Sequence, residues 1–247
     1  MRTFPRALAF EWIKFRSVRS TVWTTAVMAA LPVPGAAFVA ATESLQPDDT
    51  VLGGSLTLSV PALMLAAVVG VLTVSGEYGS GTIATTFAAV PRRSTVLAAK
   101  AALLAGLLFA LALPSAAGAY LVGGAMLDDG YAQGDPLPAL FGVAAVFSVA
   151  GLLGLAVGTL IRHAAGAVTA VVAGLLLPSM LGPLFGDAER WVAGTSPTAA
   201  LEKLIQTSDA TAEAVGSLGP WPSLLLITGY TTLALLAATA ALRTRDA

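Results

Sequence analysis

Residues 136–161, PLPALFGVAAVFSVAGLLGLAVGTLI, contain no charged side chain. An α-helix needs about 20 apolar residues to cross a hydrocarbon core about 30 Å thick, so this run is long enough to span a membrane. Its apolar residues would cover every face of a helix, whereas a surface helix of a soluble protein has one polar face. The stretch therefore predicts a transmembrane helix.

Five further runs without a charged residue have a similar length. They lie at 20–42, 50–76, 101–127, 163–186 and 214–242, and the shortest of all six has 23 residues. Charged residues form 11% of the chain, whereas about 25% is usual for a soluble domain. The expected fold class is therefore all-α: a polytopic membrane protein with six transmembrane helices in one domain, residues 1–247.

The charges between these runs predict the topology. Of the 13 Lys and Arg residues, 11 lie before the first run, after the last, or in alternate connections between them. Arg190 and Lys203 lie in the other connections, together with 11 of the 14 acidic residues. Because basic residues in short loops stay cytoplasmic, both termini are predicted inside, in the cell (plasma) membrane. Residues 187–220 then form an extracellular loop, either unstructured or folded into short helices with a break between them at Ser196-Pro197.

The first 20 residues have the pattern of an amphipathic helix. Apolar side chains recur four, four and three positions apart and share one helical face, and basic side chains occupy much of the rest. The apolar set is Phe4, Leu8, Trp12 and Phe15, and the basic set is Arg6, Lys14, Arg16 and Arg19. Such a helix favours the interface plane of a lipid bilayer. The alternative is a basic flank that only sets the topology.

Residues 77–93, EYGSGTIATTFAAVPRR, are too few to span a membrane and unusually neutral for a freely solvated loop. Ser80 as N-cap and Pro91 as stop predict a short cytoplasmic helix between them. Ile83, Phe87 and Val90 form an apolar stripe that faces either lipid or a partner protein. Since the other face holds threonines and alanines without charge, we favour a partner. Gly79 and Gly81 would let the chain turn sharply after span 2.

The sequence lacks the residues that most membrane enzymes and pumps need. It has no Cys, a single His (His163) and no G-x-x-x-x-G-K-[ST] motif, so it contains neither a thiolate site nor a P-loop for ATP. No charged residue is expected in the middle of a span, and Lys100 is expected to snorkel to the inner interface. The spacings Gly154-x-x-x-Gly158 and Gly182-x-x-x-Gly186 predict close helix packing, or dimerisation as the alternative.

Two stretches resemble the permease subunits of ABC-2 type transporters, in their actinobacterial form. The first is EWIKFRSVRST at 11–21, and the second runs from GEYGSGTI at 76–83 through VPRR at 90–93 to Lys100. The resemblance implies that 1–20 is an elbow helix and that 77–93 is a coupling helix that docks on a separate ATPase subunit. The implied docking residues are Glu77, Gly79, Gly81, Thr82, Ile83, Phe87, Pro91, Arg92 and Arg93.

The same resemblance implies a function. The chain would be the permease subunit of an ATP-driven transporter, frequently an exporter, assembled as a homodimer or heterodimer of permease chains with two P-loop ATPase chains. It would not be an enzyme itself; ATP and Mg would bind to the partner ATPase, and no cofactor, metal or nucleic acid to this chain. The alternative is a membrane scaffold or immunity-type protein that uses the same six helices without transporting anything.

Overall fold

A computed structural model of the chain describes residues 3–46, 48–82, 93–127, 130–208 and 210–244. Within these ranges the chain is helical, with 3₁₀ turns at Gly182–Ala188 and Ala193–Thr195 and no strand. The α-helices are α1 (Thr3–Ser17), α2 (Arg19–Ala30), α3 (Pro32–Ala41), α4 (Val51–Ser55), α5 (Ser59–Gly79), α6 (Arg93–Met126), α7 (Pro136–Ile161), α8 (Ala164–Leu181), α9 (Glu189–Val192), α10 (Pro197–Ile205), α11 (Ala212–Val215) and α12 (Pro220–Thr244).

Six parts of the described chain are long and apolar enough to cross a membrane. They are Arg19–Ala41, Ser59–Gly79, Arg93–Met126, Pro136–Ile161, Ala164–Leu181 and Ala212–Thr244. The prediction of an all-α, multi-pass membrane protein with six spanning helices is thus confirmed. The helices extend beyond the neutral runs, because backbone hydrogen bonding does not stop at the first charged side chain. As a result, Glu77 lies inside the last turn of α5 and Lys100 lies inside α6.

Helices α5 and α7 form the centre of the bundle and touch backbone to backbone. A Cβ atom on Gly70 would lie 1.9 Å from the carbonyl oxygen of Gly151, and one on Gly154 would lie 2.0 Å from that of Ala67. No side chain fits at these distances, so glycine allows the close approach. The packing role predicted for Gly154 and Gly158 is therefore confirmed within the chain.

The second glycine spacing behaves differently. A Cβ on Gly182 would lie 3.2 Å from the side chain of Glu189, but one on Gly186 would have no described neighbour within 4 Å. Gly186 instead has a φ of +53°, which favours glycine for conformational reasons. The prediction that Gly182 and Gly186 form a packing motif is therefore wrong at Gly186.

Helix α1 packs against α6 by a different face from the aromatic one. Ala7 and Glu11 are buried against the bundle, each with 4% of its surface exposed. Phe4 and Trp12 remain 40% and 42% exposed, and the ring of Trp12 stacks on that of Phe15, which packs against the core. The aromatic face of α1 thus lies only partly outside the bundle, and the packing face carries a carboxylate.

The bundle has two distinct ends. The first, called here the α1 end, holds α1, the last residues of α5, α7 and α12, and the first residues of α6 and α8. The other, called the α10 end, is covered by the short helices α9, α10 and α11. Helix α10 begins where Ser196 and Pro197 predict a break, because the Ser196 hydroxyl accepts a hydrogen bond from the Ala199 N–H at 3.1 Å.

Hydrogen bonds join three connecting segments at the α10 end. The Asp49 carboxylate accepts from the Ser208 hydroxyl at 2.7 Å and from the Gln46 N–H at 3.0 Å. Burial raises the pKa of Asp49, but these hydrogen bonds outweigh burial, so that the pKa lies below its ordinary value. The Val51 N–H donates to the Ala132 carbonyl at 2.8 Å, which ties the first connection to the second.

Candidate functional site: a buried charge cluster

Three helices bring four charged side chains together at the α1 end. These residues, called the charge cluster, are Glu11 and Lys14 of α1, Glu77 of α5 and Lys100 of α6. The Lys100 ammonium donates to the Glu11 carboxylate at 2.6 Å and to the Glu77 carboxylate. The Lys14 ammonium also pairs with Glu77 and lies 3.5 Å from a Glu11 oxygen.

The charge cluster is nearly closed to solvent. The side chains of Lys100 and Glu11 are 4% and 5% exposed, and that of Lys14, at its rim, is 23% exposed. Burying an unpaired charge costs several kcal/mol, so buried charges persist where opposite charges and hydrogen bonds surround them. Here two carboxylates face two ammonium groups, and Lys100 also donates to the Thr73 carbonyl at 3.2 Å. Removing Lys100 would leave both carboxylates with the partly exposed Lys14 as their remaining counterion in the cluster.

The local sequence explains why these groups meet. Glu11 and Lys14 are three residues apart, which places them on the same face of α1. Glu77 lies in the last turn of α5, and Lys100 lies near the start of α6. Since α5 and α6 are the two helices that flank residues 83–92, the cluster ties α1 to both ends of that segment.

Lys100 differs from its predicted behaviour. We expected its ammonium group to snorkel to the membrane interface, and this expectation was wrong because Glu11 and Glu77 supply counterions inside the protein. Glu77, predicted as a docking residue, directs its carboxylate to Lys14 and Lys100 and is only 7% exposed. Neither residue therefore offers its charged group to a partner in this conformation.

A cavity of about 550 Å³ lies beside the charge cluster. Its walls come from α1, α2, α5 and α6, and most of its lining is apolar. The cluster residues form its charged side, and Phe10, Phe15, Leu72 and Leu104 are among its apolar lining residues. The Lys14 ammonium also lies 5.1 Å from the centre of the Phe10 ring, a cation–π distance. The site thus combines the ion pairs of the charge cluster with an adjacent, mostly apolar cavity.

The described ends of the 77–93 segment are both anchored. Ser80 is the C-terminal cap residue of α5, and its hydroxyl donates to the Gly76 carbonyl at 2.8 Å. The same hydroxyl lies 2.9 Å from the Thr82 hydroxyl. The chain turns at Gly81, whose φ is +69°, whereas Gly79 is still helical. The predicted turn is therefore made by Gly81 and not by Gly79.

On the far side of this segment, Arg93 donates from its guanidinium to the Leu242 carbonyl near the end of α12, at 2.8 Å. Tyr78 lies under the Arg162 guanidinium, 5.3 Å from ring centre to Cζ. The helices on both sides of the segment are thus attached to α7 and α12. The other predicted docking residues, Ile83, Phe87, Pro91 and Arg92, lie outside the described residues.

The contacts of two residues at the α1 end were not predicted from the sequence. Glu11 was passed over among the basic residues of the N-terminal helix, although a lone carboxylate three residues before Lys14 was a usable signal. His163, the single histidine, had no predicted role, but its Nδ1 accepts from the Gly166 N–H at 3.1 Å and caps α8. Among the described residues, no group of three His, Asp or Glu side chains could hold a metal ion.

Comparisons with known proteins add no family to this description. No protein-family model matches the chain, and no curated protein matches it.

Proposed function

We propose that the chain is the membrane-spanning permease subunit of an ATP-driven transporter of the ABC-2 type, an exporter powered by a separate P-loop ATPase chain. The proposal starts from the likeness of 11–21 and 76–93 to such permeases. It is supported by a helical bundle with six candidate spans, which is the architecture that the likeness implies.

The charge cluster is the observation that carries the proposal. It joins α1 to the helices on both sides of residues 83–92 through buried ion pairs. A force applied to that segment would therefore move α1, α5 and α6 together, since separating them would expose or isolate buried charges. In this proposal ATP hydrolysis by the partner moves the segment, and the charge cluster passes the movement into the bundle.

A substitution in the segment tests the proposal. The chain is purified in mild detergent from its native membranes, and ATP hydrolysis by the co-purified material is measured. Phe87→Asp, which places a charge in the apolar stripe, should lower the co-purified ATPase activity about tenfold, a change that corresponds to about 1.4 kcal/mol of binding. Phe87→Leu is the matched control, because it keeps an apolar side chain, and it should retain the activity.

Two outcomes would contradict the proposal. One is a wild-type preparation without any associated ATPase activity, which would favour the scaffold alternative. The other is Phe87→Asp protein that inserts normally and still co-purifies the ATPase at the wild-type level.

A further inference from the structure

A second buried lysine lies at the α10 end, without the carboxylates that surround Lys100. Lys203 of α10 has 9% of its surface exposed. Its ammonium donates to the hydroxyl of Ser223, in the first turn of α12, at 3.1 Å. Among the described residues this neutral hydroxyl is its hydrogen-bond partner, so an ammonium with three N–H groups has one acceptor.

Lys203 also lines a cavity of about 340 Å³. Lys203 lies at the buried floor of this cavity, and exposed residues, among them Gln206, Ser217 and Leu218, form its rim. The lining offers further hydrogen-bond donors in the hydroxyl of Ser217 and the amide of Gln206, whereas the Thr207 hydroxyl already donates to the Glu202 carbonyl at 3.5 Å. Because the Gln206 Oε1 accepts from the Asp135 N–H at 3.4 Å, the amide group has its NH₂ donors left over.

The positive charge of Lys203 and the N-terminus of α12 favour an anion in the cavity. The first turn of α12 begins at Pro220 on the cavity wall, and the N-terminus of a long helix carries a partial positive charge. Burial lowers the pKa of Lys203 below its ordinary value, and the neighbouring Glu202 raises it by a smaller amount. An anion in the cavity would supply the missing acceptor and the missing counterion together.

The depth of the cavity indicates which anion. Trp221 follows Pro220 at the start of α12 and is 45% exposed. An exposed tryptophan at the end of a spanning helix is typical of the headgroup layer of a membrane. Phosphate is the anionic group of phospholipids at that depth, and lysine binds it as a point charge.

We propose that the cavity at Lys203 is a binding site for a phosphate group, with the Lys203 ammonium as its principal ligand and a phospholipid headgroup as its source. Ser217 and Gln206 contribute neutral donors. The site lies at the opposite end of the bundle from residues 83–92, and the proposal does not depend on an ATPase partner.

Isothermal titration calorimetry on the full chain in an uncharged detergent, in phosphate-free buffer, tests the site. The probes are dihexanoyl phosphatidylglycerol, inorganic phosphate, and dihexanoylglycerol as the lipid without phosphate. Saturable binding of the phosphatidylglycerol and not of dihexanoylglycerol is expected. Binding of inorganic phosphate with at least equal affinity would support the phosphate site but overturn the lipid as its source.

Substitutions then assign the binding to Lys203. Lys203→Met should weaken binding of the phosphate probe at least about tenfold, the loss expected for a charge-assisted hydrogen bond, and Lys203→Arg should retain most of it. Arg16→Met is the matched control, because it removes one positive charge at the α1 end and should leave binding unchanged. Unchanged binding in Lys203→Met would overturn the proposal.

The wild-type chain provides an independent test if Lys203→Met does not fold. Absence of saturable binding of both phosphate probes to the wild type would overturn the proposal by itself. Asp209 lies outside the described residues. The variant Asp209→Asn, which removes its carboxylate, completes the series of substitutions. Binding that appears only in Asp209→Asn would mean that an internal carboxylate already neutralises Lys203, which would also overturn it.

Discussion

Lys100 and Lys203 are both buried, but their surroundings are opposite in kind. Lys100 lies between the carboxylates of Glu11 and Glu77 and also donates to a backbone carbonyl. Lys203 has the hydroxyl of Ser223 as its partner and faces a cavity. The first lysine completes a contact among three helices, whereas the second retains unused capacity to bind a ligand.

The difference shows that burial alone does not define the role of a charged residue. At the α1 end, opposite charges come from separate helices, so that the ion pairs specify how those helices pack. At the α10 end, the ammonium carries a desolvation cost that the neighbouring Glu202 offsets only in part. A residue of this second kind is the better candidate for a binding site.

The largest expected effect comes from making the same substitution at both lysines. Lys100→Met leaves the buried carboxylates of Glu11 and Glu77 with Lys14, at the rim of the cluster, as their remaining counterion, and should lower the free energy of unfolding by about 3–5 kcal/mol. Lys203→Met removes one hydrogen bond to a hydroxyl and should cost no more than about 1 kcal/mol. Unfolding of the purified variants in detergent, followed by intrinsic tryptophan fluorescence, measures both.

Because the two substitutions remove identical groups, each serves as the control for the other. Equal losses, or a larger loss for Lys203→Met, would contradict the contrast between the two ends.

A double-mutant cycle tests the coupling inside the charge cluster. Glu11→Gln and Lys100→Met should interact by about 1–3 kcal/mol in the free energy of unfolding, because their charged groups are in direct contact. Glu11→Gln combined with Lys203→Met is the control pair, since these residues lie at opposite ends of the bundle. Additivity of the Glu11 and Lys100 substitutions to within about 0.5 kcal/mol would show that the ion pair does not connect α1 to α6.

The smallest expected effect is a pH dependence at the α10 end. Burial lowers the folded-state pKa of Lys203 below the ordinary value of 10.5. Between the folded-state pKa and 10.5 the unfolded chain binds more protons than the folded one, so stability increases with pH in that window. The wild type should therefore gain stability relative to Lys203→Met as the pH rises through this window towards 10.5.

Thermal unfolding of both proteins in phosphate-free buffer measures this difference. Parallel pH profiles, or a relative loss by the wild type, would show that folding does not disfavour the charged form of Lys203.

The spanning helices were predictable because their signal is local. Each candidate span needs only about 20 apolar residues in succession, whatever its neighbours are. The break at Ser196-Pro197 was predictable for the same reason, since an N-cap depends on the next three residues. Lys100 was not, because a charged residue near the end of a neutral run is equally compatible with snorkelling to the interface and with an internal ion pair.

In helix α1, one face was predictable from local sequence and the other was not. Its aromatic stripe, with Phe4 and Trp12, followed from periodicity, but the face that packs on α6 carries Ala7 and Glu11. A carboxylate on a packing face looks unfavourable in the sequence. It becomes favourable only when Lys100, 89 positions along the chain, supplies the ammonium.

The sequence by itself determined the fold class, the six candidate spans and the amphipathic pattern of the N-terminal helix. Hydropathy and periodicity act over neighbouring residues, and a single chain contains all of that information. Only the tertiary structure decided which charges neutralise one another, because Glu11, Glu77 and Lys100 meet through the packing of three helices. It also decided that Lys203 is buried beside a cavity with a hydroxyl as its partner, an arrangement that depends on where α10 packs against α12.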